Sequence, residues 1–249
     1  PYVSYKTITR EDSDAIYAYL MTRPAVKQEN RKNGVGFPFN IRTGIHAWNW
    51  LFAGADARPA SQGLSAAWKR GEYLAETLGH CGECHSPRGV LGQVDRDRPL
   101  AGNNALGRFA APALTPQALA ARGWDRAGLR AYLATGIGPH AVASDEMLKV
   151  VNLSSSRLRG NDLDALAVYL TGDTPAAAAA VAKPAAADDA SPARQRYYAL
   201  CAGCHGRDGA GVPHVAPALL GNSGLRDSDP HNLIVAILDG LPEHDLPGL

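Results

Sequence analysis

Gly79-His80-Cys81-Gly82-Glu83-Cys84-His85-Ser86-Pro87-Arg88 is the stretch on which this chain turns, and its inner pentapeptide returns as Cys201-Ala202-Gly203-Cys204-His205. Together the two pentapeptides hold all 4 cysteines of the 249 residues. C-x-x-C-H is the attachment signature of c-type haem: the thiols add across the porphyrin vinyl groups and the adjacent imidazole reaches the iron. On a helical turn, positions i and i+3 share a face, so both sulfurs meet one edge of a flat macrocycle. Rival readings of any C-x-x-C are a disulfide, a redox dithiol or half of a zinc site. A zinc site would have to join two pairs far apart in the chain, and it would not call for a histidine after both. Two covalent haems c are therefore expected, at Cys81, Cys84 and His85 and at Cys201, Cys204 and His205.

The totals set bounds on the rest. The length suits two or three small domains. A formal charge of +1 with 20% charged residues, and no Lys/Arg run, speaks against nucleic acid as a partner. No apolar stretch reaches the 18 or so residues of a membrane span. The chain starts at Pro1 without an initiator Met or signal-like segment, so a processed or truncated start is expected. Covalent haem attachment implies export to the oxidising side of a bacterial inner membrane.

Internal repeats organise the chain. Asp14-Ala15-Ile16-Tyr17-Ala18-Tyr19-Leu20 matches Asp164-Ala165-Leu166-Ala167-Val168-Tyr169-Leu170. Each copy carries a helix start signal, Thr9 before Asp12 and Asn161 before Asp164. Each also carries a helical apolar stripe: Ile16, Tyr19 and Leu20, and Leu163, Leu166, Tyr169 and Leu170. Ala111-Pro112-Ala113-Leu114 recurs as Ala216-Pro217-Ala218-Leu219, and Asp125 to Gly136 aligns with Asp229 to Gly240 through Leu129/Leu233 and Leu133/Ile237. The Ala/Pro/Asp-rich stretch from Thr174 to Pro192 reads as a linker, and residues 26 to 65 as an irregular but packed connector. The expected organisation is residues 1–65, the C-terminal remnant of one domain plus the connector; 66–172, a complete domain; 173–192, a linker; and 193–249, the front of a third domain. Helical patterns dominate and no useful strand alternation occurs, so the class is all-α.

A low-spin haem needs a sixth ligand, and Met147, between the Asp125 to Gly136 helix and the helix near 161, is placed for a loop that folds back over the iron bound by His85. The rival reading is an ordinary packing methionine. Met21 follows the first repeated helix, where its counterpart is Thr171, and reads as a packing residue. By the repeat spacing, the methionine equivalent to Met147 falls just past Leu249 for the second motif and just before Pro1 for the first domain. An upstream C-x-x-C-H is expected with the latter. His214 and His244 are substitutes at the second motif, or plain surface histidines.

With Gly71-Glu72-Tyr73-Leu74, Gly79 to Arg88, Pro1-Tyr2-Val3-Ser4-Tyr5, Phe37-Pro38-Phe39-Asn40 and Met147 with Val150-Val151, the chain resembles the tri-haem cytochrome c subunit of membrane-bound bacterial dehydrogenases. The resemblance covers essentially the whole chain. It implies tandem class I cytochrome c-like domains, three haems in the intact protein, and a catalytic partner subunit of flavin, quinoprotein or molybdenum type. It also implies electron delivery to ubiquinone or a terminal oxidase at the periplasmic face of the inner membrane. The chain departs from the family in lacking the first haem site, the last methionine, the signal peptide and a membrane-associating C-terminal segment.

Arg88 is a candidate partner for a haem propionate, or a solvated surface arginine. Trp48, Trp50 and Trp124 are candidates for packing on porphyrin edges, or ordinary core residues. Tyr2 and Tyr5 are candidates for lining the first haem's pocket. The leading function is a one-electron relay rather than an enzyme; the rival is a dihaem peroxidase with one haem open to hydrogen peroxide.

Overall fold

A computed structural model describes residues 3–38, 40–53, 64–104, 106–180, 189–213 and 215–241. Tyr2, His214 and His244 lie outside the described residues. The structure is all-α apart from one two-stranded hairpin. Helix α1 (Arg10–Met21) is followed by α2 (Gly44–Trp48) and a π turn at Asn49–Ala53. Helix α3 (Ala66–Glu72) runs into a π-helical turn, Tyr73–Leu78, that delivers the chain to the one-turn α4 (Gly82–His85). Then come α5 (Pro116–Ala121), α6 (Arg126–Thr135), the hairpin β1 (Ile137–Gly138) and β2 (Ala141–Val142), α7 (Asp145–Leu153) and α8 (Gly160–Thr171). Last are α9 (Pro192–Leu200), the one-turn α10 (Ala202–His205) and α11 (His231–Asp239).

Local chemistry accounts for these boundaries. Thr9, Ser65, Thr115, Asp125 and Ser191 each accept a backbone N–H from the first turn of the helix they precede. Proline stands in the first turn of α5 and α9, where a missing N–H costs nothing. Gly136 ends α6 in the left-handed region, as a C-terminal cap requires.

The core of residues 66–172 is the crossing of α3 on α8. Gly71 makes it possible: a Cβ there would lie 2.0 Å from the carbonyl oxygen of Ala165 and 2.6 Å from the Tyr169 Cβ. Leu74, Ala75, Ala165 and Leu166 are buried along this seam. Leu100, Leu119, Trp124, Leu129, Ala167 and Leu170 fill the space between α5, α6 and α8. At the rim Arg70 pairs with Asp162 at 2.8 Å, and the Tyr169 hydroxyl donates to Glu76 at 2.6 Å.

The second repeated helix behaves as its pattern demands, with Leu163, Leu166 and Leu170 buried. The first does not: Ile16, Tyr19 and Leu20 on α1 are all exposed. Only the start of that segment is docked, through polar contacts to the π turn. Thr7 and Thr77 share a 2.6 Å hydroxyl pair, Tyr73 donates to Asp12 at 2.7 Å, and Ser4 donates to Glu83 at 3.0 Å. Tyr5 stands edge-on to His80.

Four further expectations need correction. Met21 is exposed, not packed, whereas its counterpart Thr171 is buried and accepts a hydrogen bond from Arg126. Asn161 does not cap α8; it lies inside the first turn, and Arg159 at the cap position makes no side-chain bond. The described connector is exposed over 26–38 and 40–47, and packs only where Phe52 and Ala53 turn inward and Trp48 donates to the Leu91 carbonyl. Met147 lies in the first turn of α7, not on a loop. No helix among the described residues is long and apolar enough to cross a membrane.

Candidate functional site

The two C-x-x-C-H turns share one backbone geometry. In each, the second cysteine donates its N–H to the first cysteine's carbonyl at 3.2 Å and the histidine donates to the same carbonyl at 2.9 Å. That single turn sets the two cysteines at positions i and i+3, the spacing that shares a helix face. The four cysteines are free thiols, and among the described residues no cluster of three or more His, Cys, Asp or Glu is placed to hold a metal ion. The two cysteine pairs are thus not brought together as a joint zinc site would need.

A second segment closes on each turn in the same way. His85 Nδ1 lies 2.7 Å from the Pro112 carbonyl oxygen, and His205 Nδ1 lies 2.9 Å from that of Pro217. A carbonyl only accepts, so each Nδ1 carries the proton and each Nε2 keeps its lone pair free. This is how an imidazole is oriented for a metal: the outer nitrogen is tied down, the inner one presented. Burial, followed by the nearby Arg122 guanidinium, holds the His85 imidazole below its ordinary pKa and so neutral at pH 7, although the Pro112 bond pulls the other way.

The Pro112 and Pro217 straps are held identically. The N–H of Gly102 donates to the His85 carbonyl and that of Gly211 to the His205 carbonyl, both at 2.8 Å. Each glycine has positive φ, +89° and +77°, and the next residue forms a bridge to the alanine before the proline: Asn103 with Ala111, Val212 with Ala216. A Cβ on Gly211 would lie 2.7 Å from the Ala216 oxygen. Sequence reasoning found the Ala-Pro-Ala-Leu repeat but missed these two glycines. Their signal was a glycine ahead of each repeat, at unequal distances because the intervening loops differ in length.

The cysteines of the first turn differ in setting. Cys84 is exposed, whereas Cys81 packs against both core clusters and burial, reinforced by Glu76, pushes its thiol up to about 12. A thiol that high is a poor thiolate, hence a poor redox nucleophile or zinc ligand. As a thioether it would carry no titratable proton, and burial would suit it.

Met147 is half-buried against the Ala143, Leu148 and Val151 cluster, as is Tyr132, whose hydroxyl pKa is raised by burial alone. Arg88 is engaged with protein groups: Glu83 Oε2 at 2.8 Å, the Glu83 carbonyl at 2.6 Å and the Gly92 carbonyl at 2.7 Å. Burial lifts Glu83, but the bonds from Arg88 and Ser4 together outweigh it and hold the carboxyl below its ordinary value. Trp124 is a core residue, edge-on to Tyr132 and His140, while Trp50 is exposed. Two cysteines three positions apart on one turn, followed by an imidazole whose Nδ1 is held by a proline carbonyl, are a donor set that fits haem c at both motifs.

No family model matches the chain. It is 34% identical over 249 residues to a nicotinate dehydrogenase subunit of Pseudomonas putida, covering 97% of this chain and 21% of that protein. It is 32% identical over 268 residues to the fructose dehydrogenase cytochrome subunit of Gluconobacter japonicus, covering 97% and 55%. It is 33% identical over 271 residues to the gluconate 2-dehydrogenase cytochrome c subunit of Pantoea cypripedii, covering 100% and 60%. The chain therefore spans only part of each relative's length.

Proposed function

From the chain's similarity, over nearly all of its length, to cytochrome c subunits of dehydrogenase complexes, we propose that it relays single electrons from a dehydrogenase catalytic subunit to ubiquinone or a terminal oxidase. In this reading the chain is an electron-transfer cytochrome that carries haem c, and substrate oxidation belongs to a partner subunit. Bound haem supplies a one-electron ferric/ferrous couple. In this reading Cys81, Cys84 and His85 would hold one haem, and Cys201, Cys204 and His205 the other. Met147 would supply a sulfur ligand to the first haem, residues 66–172 would form a complete class I cytochrome c-like domain, and 193–249 the front of another. Residues 1–65 are the tail of a preceding domain plus the connector, so three haems belong to the intact protein.

What the chain's own residues contribute is positioning and exclusion of water. Pro112 and Pro217 orient the imidazoles, the half-buried Cys81 would anchor the haem beside the core clusters it packs on, and Leu100, Leu119 and Leu170 exclude water there. The observation that carries the reading is the duplicated cradle, in which each histidine donates Nδ1–H to a proline carbonyl. The catalytic partner is of flavin, quinoprotein or molybdenum type, and the site of action is the periplasmic face of the inner membrane. A peroxidase is not favoured, since the relatives are dehydrogenase subunits. The role of Arg88 is to brace the first attachment turn through Glu83, leaving a propionate partner as the second use of its guanidinium.

The test is reduction of the haem-loaded full chain by a dehydrogenase catalytic subunit of the family, followed at the haem α-band. Stoichiometric one-electron reduction of both haems, with no hydrogen peroxide turnover, is the expected result. Rapid peroxide turnover with an open, high-spin haem would remove the relay reading.

A further inference from the structure

Asn232, in the first turn of α11, pairs both ways with a backbone unit 122 positions earlier: Ala110 N–H donates to its Oδ1 at 2.8 Å, and its Nδ2 donates to the Ala110 carbonyl at 2.8 Å. Ala110 adjoins Ala111, the residue bridged to Asn103, and lies just before Pro112, whose carbonyl holds His85. The other end of the strap is gripped too. Arg122 donates to the Ala113 carbonyl, its guanidinium lies 3.9 Å from Asp227, and Arg226 donates to the Arg122 carbonyl at 3.0 Å. Between these grips lies a cavity of about 280 Å³ bordered by Gly102, Pro112, Asp229 and Asn232. On this side the strap is held by polar contacts from residues 226–232 rather than by close packing.

We propose that Asn232 is a positioning residue for the axial imidazole of His85, so that the segment following the second motif tunes the redox potential at the first. The proposal rests on the reading of His85 as an iron ligand. An Nδ1–H bond to a carbonyl raises the basicity of the imidazole, and a more basic ligand favours ferric iron. Loosening the strap weakens that bond and raises the potential of the first haem alone.

The experiment is a spectroelectrochemical titration of the haem-loaded full chain, wild type against Asn232→Ala, Asn232→Ser and Arg108→Ala. Arg108 ties the same two regions together through the Gly240 carbonyl at 2.7 Å and Asp239 at 3.4 Å, yet its side chain bonds no strap residue. Asn232→Ala should increase the reduced-to-oxidised ratio of one haem two- to threefold at fixed poise, or about 20–30 mV at about 59 mV per tenfold for one electron. Asn232→Ser should give a smaller shift of the same sign, and decides the matter if the alanine variant does not fold. Arg108→Ala should leave both potentials in place. Equal shifts of both haems, an equal shift from Arg108→Ala, or no shift in any variant overturns the proposal. A haem count on the wild type separates the two claims: no haem on the first motif sinks the functional reading, whereas two haems with unmoved potentials sink only this one.

Discussion

At Ser86, the residue after the first axial histidine candidate, a buried hydroxyl accepts the Leu100 N–H at 2.9 Å, and Leu100 carries φ +57°. This bond starts the loop that returns as the Pro112 strap. Ser86→Ala would leave a buried N–H without its acceptor, an expected loss of about 1–3 kcal/mol. Denaturant unfolding of the haem-loaded chain measures it. A loss near zero would mean that water or a backbone shift supplies the acceptor. Met147 is the other residue whose role is open to a direct check. Met147→Ala should lower the potential of the first haem and abolish the weak sulfur-to-iron charge-transfer band at the red edge of the ferric spectrum. An unchanged spectrum would return Met147 to packing. The candidate attachment cysteines and histidines stand out in the sequence because the chemistry proposed for them needs those side chains. The Pro112 and Pro217 carbonyls were visible only as a repeat, since every residue has a carbonyl and nothing in the side chain marks the one that accepts.

Among the elements, the crossing of α3 on α8 bears most of the packing of residues 66–172. Gly71→Ala would drive a methyl into the Ala165 carbonyl, and neither helix can yield without opening the Leu74 and Leu166 seam. The expected destabilisation is about 3 kcal/mol, at the upper end of overpacking effects, read as a lower midpoint of thermal unfolding. A variant as stable as the parent would show that the helices cross less closely. The rim of the same crossing sets acid sensitivity. The Arg70 hydrogen bond is the main cause holding Asp162 below its ordinary 3.8, and Glu83 lies below 4.5. Both contribute fully at neutral pH, and the contribution is lost as pH falls through the folded values, below about pH 4. Asp162→Asn should flatten that acid limb of a stability-versus-pH curve. Although Asn161 is not the cap of α8, the α1 and α8 helices were readable from their period, and α1 from its Thr9 cap. Burial of the α1 stripe was not, because a period reveals which face is apolar but not whether another element covers it.

For the molecule as a whole, the repeated geometry says that the two motif regions are built on one plan: a cysteine turn, a positive-φ glycine, a bridge and a proline carbonyl. Their contexts differ. The first packs on a helical core through Cys81, while α11, which follows the second in the chain, leaves Ile234, Ile237 and Leu238 exposed. Contacts between the regions, such as His140 Nδ1 to the Gly221 carbonyl at 3.0 Å and Asn232 to Ala110, involve residues that share no sequence pattern. They were illegible in the sequence for that reason.

The central claim is that each pentapeptide carries its own haem. Intact mass together with a pyridine haemochrome spectrum tests it on the full chain matured in a bacterial periplasm. The wild type should carry two covalent haems, and the double variant Cys201→Ala with Cys204→Ala one, with an undiminished α-band per remaining haem. A wild-type mass equal to the bare polypeptide, or to polypeptide plus zinc with no α-band, would contradict it.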